Sequence, residues 1–287
     1  TVAITAGRGD TLFGLTQKGI LYRLDLDGRV TVLKKHKKTV DRYLEYIPES
    51  ERLYFNGIYF NRYTSATGPA WIGSAKSLQP IPPNRLLVAD YVGIFLFETS
   101  QQSHATVDWV LRMNPMYQEH KNSYKERQFL IPLNRPNVAH YQAFAERIWI
   151  GNNEQLIVLE QGDTMTLRHA GQPIIAFSIA SAADTTYVVT SEGVLTFIGT
   201  EFQEYLKPAN APLLDKVRYI THQAGWLYLA TGEGLQRVHL ATKKTQVLDK
   251  SRGLYSNKIL EVALLDQFIY ELTSKGLKRL PYTLMDE

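Results

Sequence analysis

The stretch from Val217 to Asn257 constrains the fold most, because it consists of four short β-type segments in a row. The segments are rich in Val, Ile, Tyr, Leu and Thr, and Gly, Asp, Lys or Ser bound each one. They cover Val217–Gln223, Trp226–Thr231, Leu235–Leu240 and Thr245–Leu248. The second segment is apolar on both faces, which is typical of a strand buried between two layers. Such a four-stranded unit has to stack against copies of itself.

The copies are found by following the turn between the second and third segments. Equivalent turns contain Gly19, Gly57, Gly93, Glu154, Gly193, Gly234 and Gly276. The successive spacings are 38, 36, 61, 39, 41 and 42 residues, which is the period of a propeller blade apart from one long step. The sequence therefore predicts an all-β chain that forms one seven-bladed β-propeller of four-stranded antiparallel blades.

The predicted blades cover residues 1–38, 40–76, 77–112, 137–172, 173–212, 213–253 and 254–287. The long step corresponds to residues 113–136, which hold three prolines and little alternation, so we expect a loop or short helix between blades. The last blade has only three predicted strands. Because an exposed sheet edge is unfavourable, the fourth strand would come from residues before Thr1 or from a longer parent chain.

The composition and the absence of known motifs exclude several classes of function. The chain has no Cys, which excludes disulfides and thiolate zinc sites, and its longest apolar run, Ile174 to Ala183, is too short for a membrane span. The net charge of +4 is not arranged as a basic stripe interleaved with aromatic residues, so we expect no nucleic-acid partner. No HExxH, GxSxG or Walker motif occurs. We predict no cofactor, no metal and no catalysis, although a propeller enzyme could assemble its site from different blades.

Two local patterns have a structural and a functional interpretation. Trp149 and Trp226 occupy the same place in their blades, where core packing is favoured over sugar stacking. Asp25, Asp27 and Gly28 begin like a calcium loop, but the later acidic ligand is missing and a β-hairpin explains them.

The C-terminal repeats resemble the two-component regulator propeller repeat. Its pattern of turns and strands is found here as Gly253, Leu254 and Asn257, followed by Ile259 to Leu265, Asp266, Phe268 to Thr273, and Gly276, Leu277 and Arg279. The segment Arg147 to Glu160 matches the middle of the same pattern. At the level of motifs, the resemblance covers about half of the chain.

This resemblance implies an extracytoplasmic sensor module of a bacterial hybrid histidine kinase, located in the periplasm or at the cell surface. It implies a small-molecule ligand, with an oligosaccharide the usual one, and further domains of a longer parent chain. Related propellers in bacterial secretion machinery make docking of a protein partner the alternative. A propeller-based polysaccharide-degrading enzyme is the third hypothesis, and direct membrane insertion is not expected.

In a propeller, the turns between second and third strands and the connections between blades emerge on one face, which is the default site for a small ligand. The candidate ligand-binding residues on that face are Arg42, Asn56, Tyr91, Asn153, Arg252, Tyr255 and Asn257. Amide, aromatic and guanidinium groups suit a sugar or peptide. The alternative interpretation is that turn residues are polar because turns face solvent, and that Asn257 caps its own turn.

Overall fold

A computed structural model describes most of the chain: residues 3–7, 11–36, 43–47, 51–55, 58–61, 63–65, 67–69, 77–81, 85–90, 93–98, 103–104, 129–131, 138–160, 163–207, 213 and 217–285. These residues form antiparallel β-sheets and two short 3₁₀ helices, Lys250–Arg252 and Tyr282–Met285. The chain divides into two compact units, Thr1–His36 with Ala176–Glu287, and Lys37–Ile175.

Seven sheets follow one another along the described residues, numbered here in chain order. The first sheet consists of β1 (Ala3–Ala6), β2 (Thr11–Leu15), β3 (Ile20–Asp25) and β4 (Val30–Lys35). The second consists of β5 (Glu45–Ile47), β6 (Arg52–Phe55), β7 (Ile58–Asn61) and β8 (Thr67–Pro69). The third consists of β9 (Ser77–Ile81), β10 (Arg85–Asp90), β11 (Gly93–Glu98), β12 (Ser103–His104) and β13 (Phe129–Ile131).

The fourth sheet contains β14 (Val138–Gln142), β15 (Arg147–Gly151), β16 (Leu156–Glu160), β17 (Asp163–His169) and β18 (Gln172–Pro173). The fifth contains β19 (Ser178–Ala182), β20 (Thr185–Thr190), β21 (Gly193–Ile198) and β22 (Glu201–Leu206). The sixth contains β23 (Val217–Gln223), β24 (Trp226–Thr231), β25 (Leu235–His239) and β26 (Thr245–Leu248). The seventh contains β27 (Ile259–Leu265), β28 (Phe268–Thr273) and β29 (Gly276–Pro281).

The strand pattern confirms the predicted fold class, since all seven sheets of the described residues are antiparallel, six are simple meanders and the last one has three strands. The sixth sheet matches the four segments read from the sequence to within one residue. β24 is buried from Leu227 to Thr231, as a strand apolar on both faces should be. Trp149 is completely buried, which confirms its predicted packing role.

The outer edges of the second and third sheets are described only in part. The second sheet ends with Thr67–Pro69, and residues 105–112 at the end of the third predicted blade lie outside the described residues. Phe129–Ile131 falls inside the stretch predicted to be a loop or short helix, yet it pairs with β11, which gives the free edge of that strand a partner. The last strand ends at Pro281, which has no N–H to continue the ladder.

Within each compact unit, the apolar core lies between neighbouring sheets. One cluster joins the third and fourth sheets through Leu87, Ile94 and Ile150, and another joins the seventh sheet to the first through Ile4, Leu12 and Leu272. Within each compact unit, these neighbouring sheets therefore bury apolar faces against each other, as the stacking inferred from the repeat requires.

Polar side chains also join the first strands of consecutive sheets. Gln79 on β9 bonds both backbone groups of Tyr141 on β14, accepting from the N–H at 2.6 Å and donating to the carbonyl at 3.2 Å. Ser178 Oγ on β19 accepts from Ile220 N on β23 at 3.1 Å. The carboxyl group of Glu261 on β27 accepts from Ile4 N on β1. Of these three contacts between sheets, the one made by Glu261 uses an ionisable group.

The hairpin interpretation of Asp25, Asp27 and Gly28 is confirmed. Gly28 adopts a φ of 86° and donates to Asp25 O at 2.9 Å, and Asp27 Oδ1 accepts from Arg29 N at 2.9 Å. The Asp25 carboxylate pairs with Arg23 at 3.0 Å. These carboxylates are therefore used within the β3–β4 hairpin.

The seventh sheet leaves one side of β29 unpaired among the described residues. A groove of about 460 Å³ lies between this strand and the first sheet. Val30 and Val32 line it and are 60% and 52% exposed, which is unusual for two valines in one strand. The other lining residues are Thr16, Ile20, Tyr22, Leu24, Leu277 and Arg279.

Candidate functional site

A recurrent turn shapes one end of the fifth, sixth and seventh sheets. In each turn a threonine hydroxyl donates to a glycine carbonyl three residues later and accepts from the backbone N–H in between. The Oγ1–O distances are 3.1 Å for Thr190 and Gly193, 2.7 Å for Thr231 and Gly234, and 3.1 Å for Thr273 and Gly276. The three glycines have φ values of 145°, 152° and 142°, which disfavour a side chain.

The connection between the sixth and seventh sheets, residues 249–258, packs beside the last of these turns. We call it the 249–258 loop. It opens with Asp249, whose Oδ1 accepts from Ser251 N at 2.8 Å, Ser251 Oγ at 2.5 Å and Arg252 N at 3.2 Å. The Ser251 hydroxyl, with the two backbone N–H groups, lowers the pKa of Asp249. Asp249 therefore caps the 3₁₀ helix Lys250–Arg252.

Asn257 and Arg252 hold the two ends of the 249–258 loop. Asn257 Oδ1 accepts from Lys250 N at 2.7 Å, and Arg252 Nη1 donates to Val247 O at 2.6 Å. The prediction that Asn257 caps its own turn is thus confirmed, because its side-chain oxygen bonds the backbone N–H of Lys250 at the other end of the same loop. Arg252 uses one of its five N–H donors in this contact.

Two residues of the seventh sheet anchor the middle of the 249–258 loop from below. Glu271 Oε1 accepts from Tyr255 N at 2.5 Å, and Lys278 Nζ donates to Gly253 O at 2.5 Å. Glu271 and Lys278 are register partners on β28 and β29. Burial raises the pKa of Glu271, while the Tyr255 N–H and the Lys278 ammonium act in the opposite direction.

Glu271 anchors the 249–258 loop, and it was not identified from the sequence. It stands two residues before the turn threonine, where the equivalent positions hold Ile150, Val188 and Leu229. All three of those residues are fully or nearly fully buried apolar side chains. A carboxylate at a position that is apolar in these other repeats is the feature that distinguishes Glu271. An alignment of the predicted blades with one another would have revealed it.

Tyr255 is the aromatic residue that the 249–258 loop presents to solvent. Its side chain is 44% exposed, and its ring edge lies beside Gly276, where the Cε1 atom is 3.8 Å from the position a Cβ would take. The ring therefore rests against the Thr273–Gly276 turn while one part stays open. A half-exposed aromatic ring on an anchored loop suits stacking against a ligand.

Four cationic residues lie on the same loop or on the adjacent turn. Lys250, Arg252 and Lys258 on the 249–258 loop and Lys275 on the adjacent turn are exposed, and none of them forms an ion pair with a described residue. The two nearby carboxylates bind backbone groups of the loop itself. Asp249 accepts from Ser251 N as the cap of the 3₁₀ helix, and Glu271 accepts from Tyr255 N.

The candidate residues from the sequence have different outcomes. Arg252, Tyr255 and Asn257 are brought together in one loop of the first compact unit. Asn153 is exposed in the β15–β16 turn of the second unit, a turn shaped by Asn152, whose Oδ1 accepts from Glu154 N and Gln155 N at 2.9 Å each. Arg42, Asn56 and Tyr91 lie outside the described residues. A ligand-binding role for all seven stays a prediction.

Among the described residues, no three His, Asp or Glu side chains are grouped in a way that could hold a metal ion. No helix in the described ranges has the length and apolar character needed to cross a bilayer.

Comparison with known proteins gives likeness in structure and none in sequence. No protein-family model matches the chain, and no curated protein matches it. Among solved structures, PorZ, a surface component of the type-IX secretion system of Porphyromonas gingivalis, is similar with a TM-score of 0.67 at 11% identity. The match covers 98% of this chain and 36% of PorZ.

Two further structures give the same result. The extracellular domain of the putative hybrid two-component system BT4673 from B. thetaiotaomicron matches with a TM-score of 0.66 at 13% identity, over 97% of this chain and 37% of that one. The WD40 β-propeller domain of Doa1 matches with a TM-score of 0.63 at 12% identity, over 97% and 90% of the two chains. This chain spans little more than a third of the PorZ and BT4673 structures, and at these identities the likeness establishes that the fold is a β-propeller.

Proposed function

We propose that this chain is a non-enzymatic, extracytoplasmic ligand-binding propeller of a bacterial sensor protein, and that it binds a carbohydrate at the 249–258 loop. The observation that carries the proposal is Tyr255, which is exposed on a loop whose backbone is fixed by Glu271, Lys278 and Asn257. Because these contacts order the loop before a ligand arrives, binding loses little conformational entropy.

The likeness to the extracellular domain of a hybrid two-component system supports the sensor assignment. The likeness to a bacterial surface component supports a location outside the cytoplasm, in the periplasm or at the cell surface. In both comparisons the partner chain is much longer than this one, which fits a module that works together with further domains of a parent protein.

Thermal unfolding with a panel of neutral and acidic oligosaccharides and short peptides tests the proposal. A carbohydrate at one hundred times its Kd should stabilise the chain by about 2.7 kcal/mol, which raises the Tm by a few degrees. Tyr255→Ala should at least halve the shift, and Phe144→Ala, which removes an aromatic ring 73% exposed in the other compact unit, should retain it. A panel without any shift would contradict carbohydrate binding.

The same oligosaccharides should keep their length after prolonged incubation with the chain, because we assign no catalytic role to it. Chromatography would detect shortened or unsaturated products. Their appearance would contradict the non-enzymatic assignment and favour a polysaccharide-degrading propeller.

Docking of a protein segment is a second candidate function, and the groove beside β29 favours it. An edge strand with unpaired backbone groups and a neighbouring surface containing Val30 and Val32 suits an extended segment with apolar residues at alternate positions.

Hydrogen exchange of the β29 amides measures this docking. A synthetic peptide with valines at alternate positions should slow exchange of the outward-facing amides, and Val32→Asp should prevent that protection. An edge that is equally protected with and without the peptide would exclude docking at this strand. Val32 is 52% exposed, so its substitution should change the stability of the free chain little.

A further inference from the structure

The exposed cationic side chains of the 249–258 loop and the adjacent β28–β29 turn indicate which class of carbohydrate this surface would bind. The proposed function leaves open whether the carbohydrate is neutral or charged. Neutral sugars are usually held by amide and carboxylate groups that bond hydroxyls, and the 249–258 loop offers few such groups. Asn257 Oδ1 is occupied by Lys250 N, and Asp249 Oδ1 accepts three bonds within the loop.

Most of the side-chain donors that remain open are cationic, although the NH₂ group of Asn257 is a neutral donor without a partner among the described residues. Lys250, Lys258 and Lys275 form no side-chain hydrogen bond or ion pair with described residues, and the contact of Arg252 with Val247 O leaves other guanidinium N–H groups available. Ammonium and guanidinium groups bind carboxylate and sulfate groups through charge-assisted hydrogen bonds. Burial of Glu271 keeps its carboxyl group away from the surface that a ligand would meet.

We infer that the 249–258 loop binds an acidic oligosaccharide, a chain carrying uronate or sulfate groups, with one sugar ring stacked on Tyr255. This inference rests on the proposed function and names its ligand class. Lys275 on the β28–β29 turn and Arg252 on the 3₁₀ helix would supply the cationic groups that meet the acidic groups of the ligand.

A single exposed aromatic residue distinguishes this surface from one that binds single-stranded nucleic acid. Such proteins stack successive bases on several aromatic side chains along a basic groove. Here the described residues of the loop and the adjacent turn expose Tyr255 alone among aromatics. A polyanion bound by charge alone would not depend on the Tyr255 ring, whereas a stacked sugar would.

Calorimetric titration with four probes tests the inference: tetragalacturonate, a chondroitin sulfate hexasaccharide, neutral cellohexaose and a ten-residue oligothymidylate. We expect one of the two acidic saccharides to bind at least about ten-fold more tightly than cellohexaose and the oligonucleotide, with an affinity that falls as salt rises. Tyr255→Ala should weaken that binding about ten-fold or more, as should Lys275→Gln combined with Arg252→Gln.

Lys244→Gln is the matched control, because it removes one exposed charge from the β25–β26 turn and should leave binding unchanged. If cellohexaose binds as tightly as the acidic saccharides, the charged ligand class is wrong and carbohydrate binding stands. If no saccharide binds, both proposals fail. Equal binding of the oligonucleotide, insensitive to Tyr255→Ala, would reduce the site to a surface that attracts any polyanion.

Discussion

Replacing Gly234 by alanine should lower the free energy of unfolding by about 2–4 kcal/mol, among the largest effects of a single methyl group in this chain. Gly234 has a φ of 152°, a conformation that an L side chain rarely adopts. Its added Cβ would lie 2.6 Å from Leu248 O, a backbone carbonyl of the paired strand β26. Relief of that overlap requires β25 and β26 to separate, because a carbonyl in a ladder cannot rotate away by itself.

Denaturant unfolding followed by tryptophan fluorescence measures this loss as a lower midpoint at an unchanged slope. Gly28→Ala is the control, since Gly28 also has a positive φ, of 86°, but nothing lies within 4 Å of an added Cβ. It should cost about 1 kcal/mol from backbone strain alone. Equal losses in the two variants would show that the contact with Leu248 O is relieved without cost.

Replacing Glu261 by glutamine should stabilise the protein above neutral pH and flatten its dependence on pH. Burial raises the pKa of Glu261 from 4.5 to about 7, against the opposing effect of the Ile4 N–H. Below about pH 4.5 the carboxyl group is protonated in the folded and the unfolded chain. Between pH 4.5 and 7 the unfolded chain releases the proton first, so stability falls as the pH rises through this window.

Above pH 7 the folded protein carries a poorly hydrated carboxylate, which Glu261→Gln removes while keeping an oxygen for Ile4 N. The expected gain at pH 8 is on the order of 2–3 kcal/mol, with little difference between the two proteins at pH 4. Unfolding curves collected across that range measure it. Glu201→Gln, at an exposed position, serves as the control and should follow the parent curve. Parallel curves for the parent and the Glu261 variant would contradict a raised pKa at this position.

The contacts between first strands explain why Glu261 matters. Gln79 and Ser178 join other pairs of sheets with neutral groups, whereas the contact between the seventh and first sheets depends on a carboxyl group. We therefore expect the packing of these two sheets to weaken as the pH rises from 4.5 to about 7.

Local sequence determined the strands of the sixth sheet and the meander order of most sheets, whereas the pairing of Phe129–Ile131 with β11 was not foreseen. Period-two alternation and turn residues act over fewer than ten residues, so Val217–Leu248 could be divided into strands correctly from the sequence alone. The repeat of the Gly-containing turn then indicated stacking, because no blade can bury both faces by itself. The same local signals identified the Asp27–Gly28 hairpin and the buried position of Trp149.

Tertiary structure decided which polar residues act together. Asn257 and Arg252 looked like ligand-binding residues in the sequence, and the structure shows their side chains bonded to the loop backbone and to β26. Glu271 looked like one more strand residue until its carboxylate was seen to hold Tyr255 N from sixteen residues away. Hydrophobic periodicity reports which face of a strand is buried. It carries no information on which distant backbone group a buried side chain will meet, because that depends on how neighbouring sheets pack.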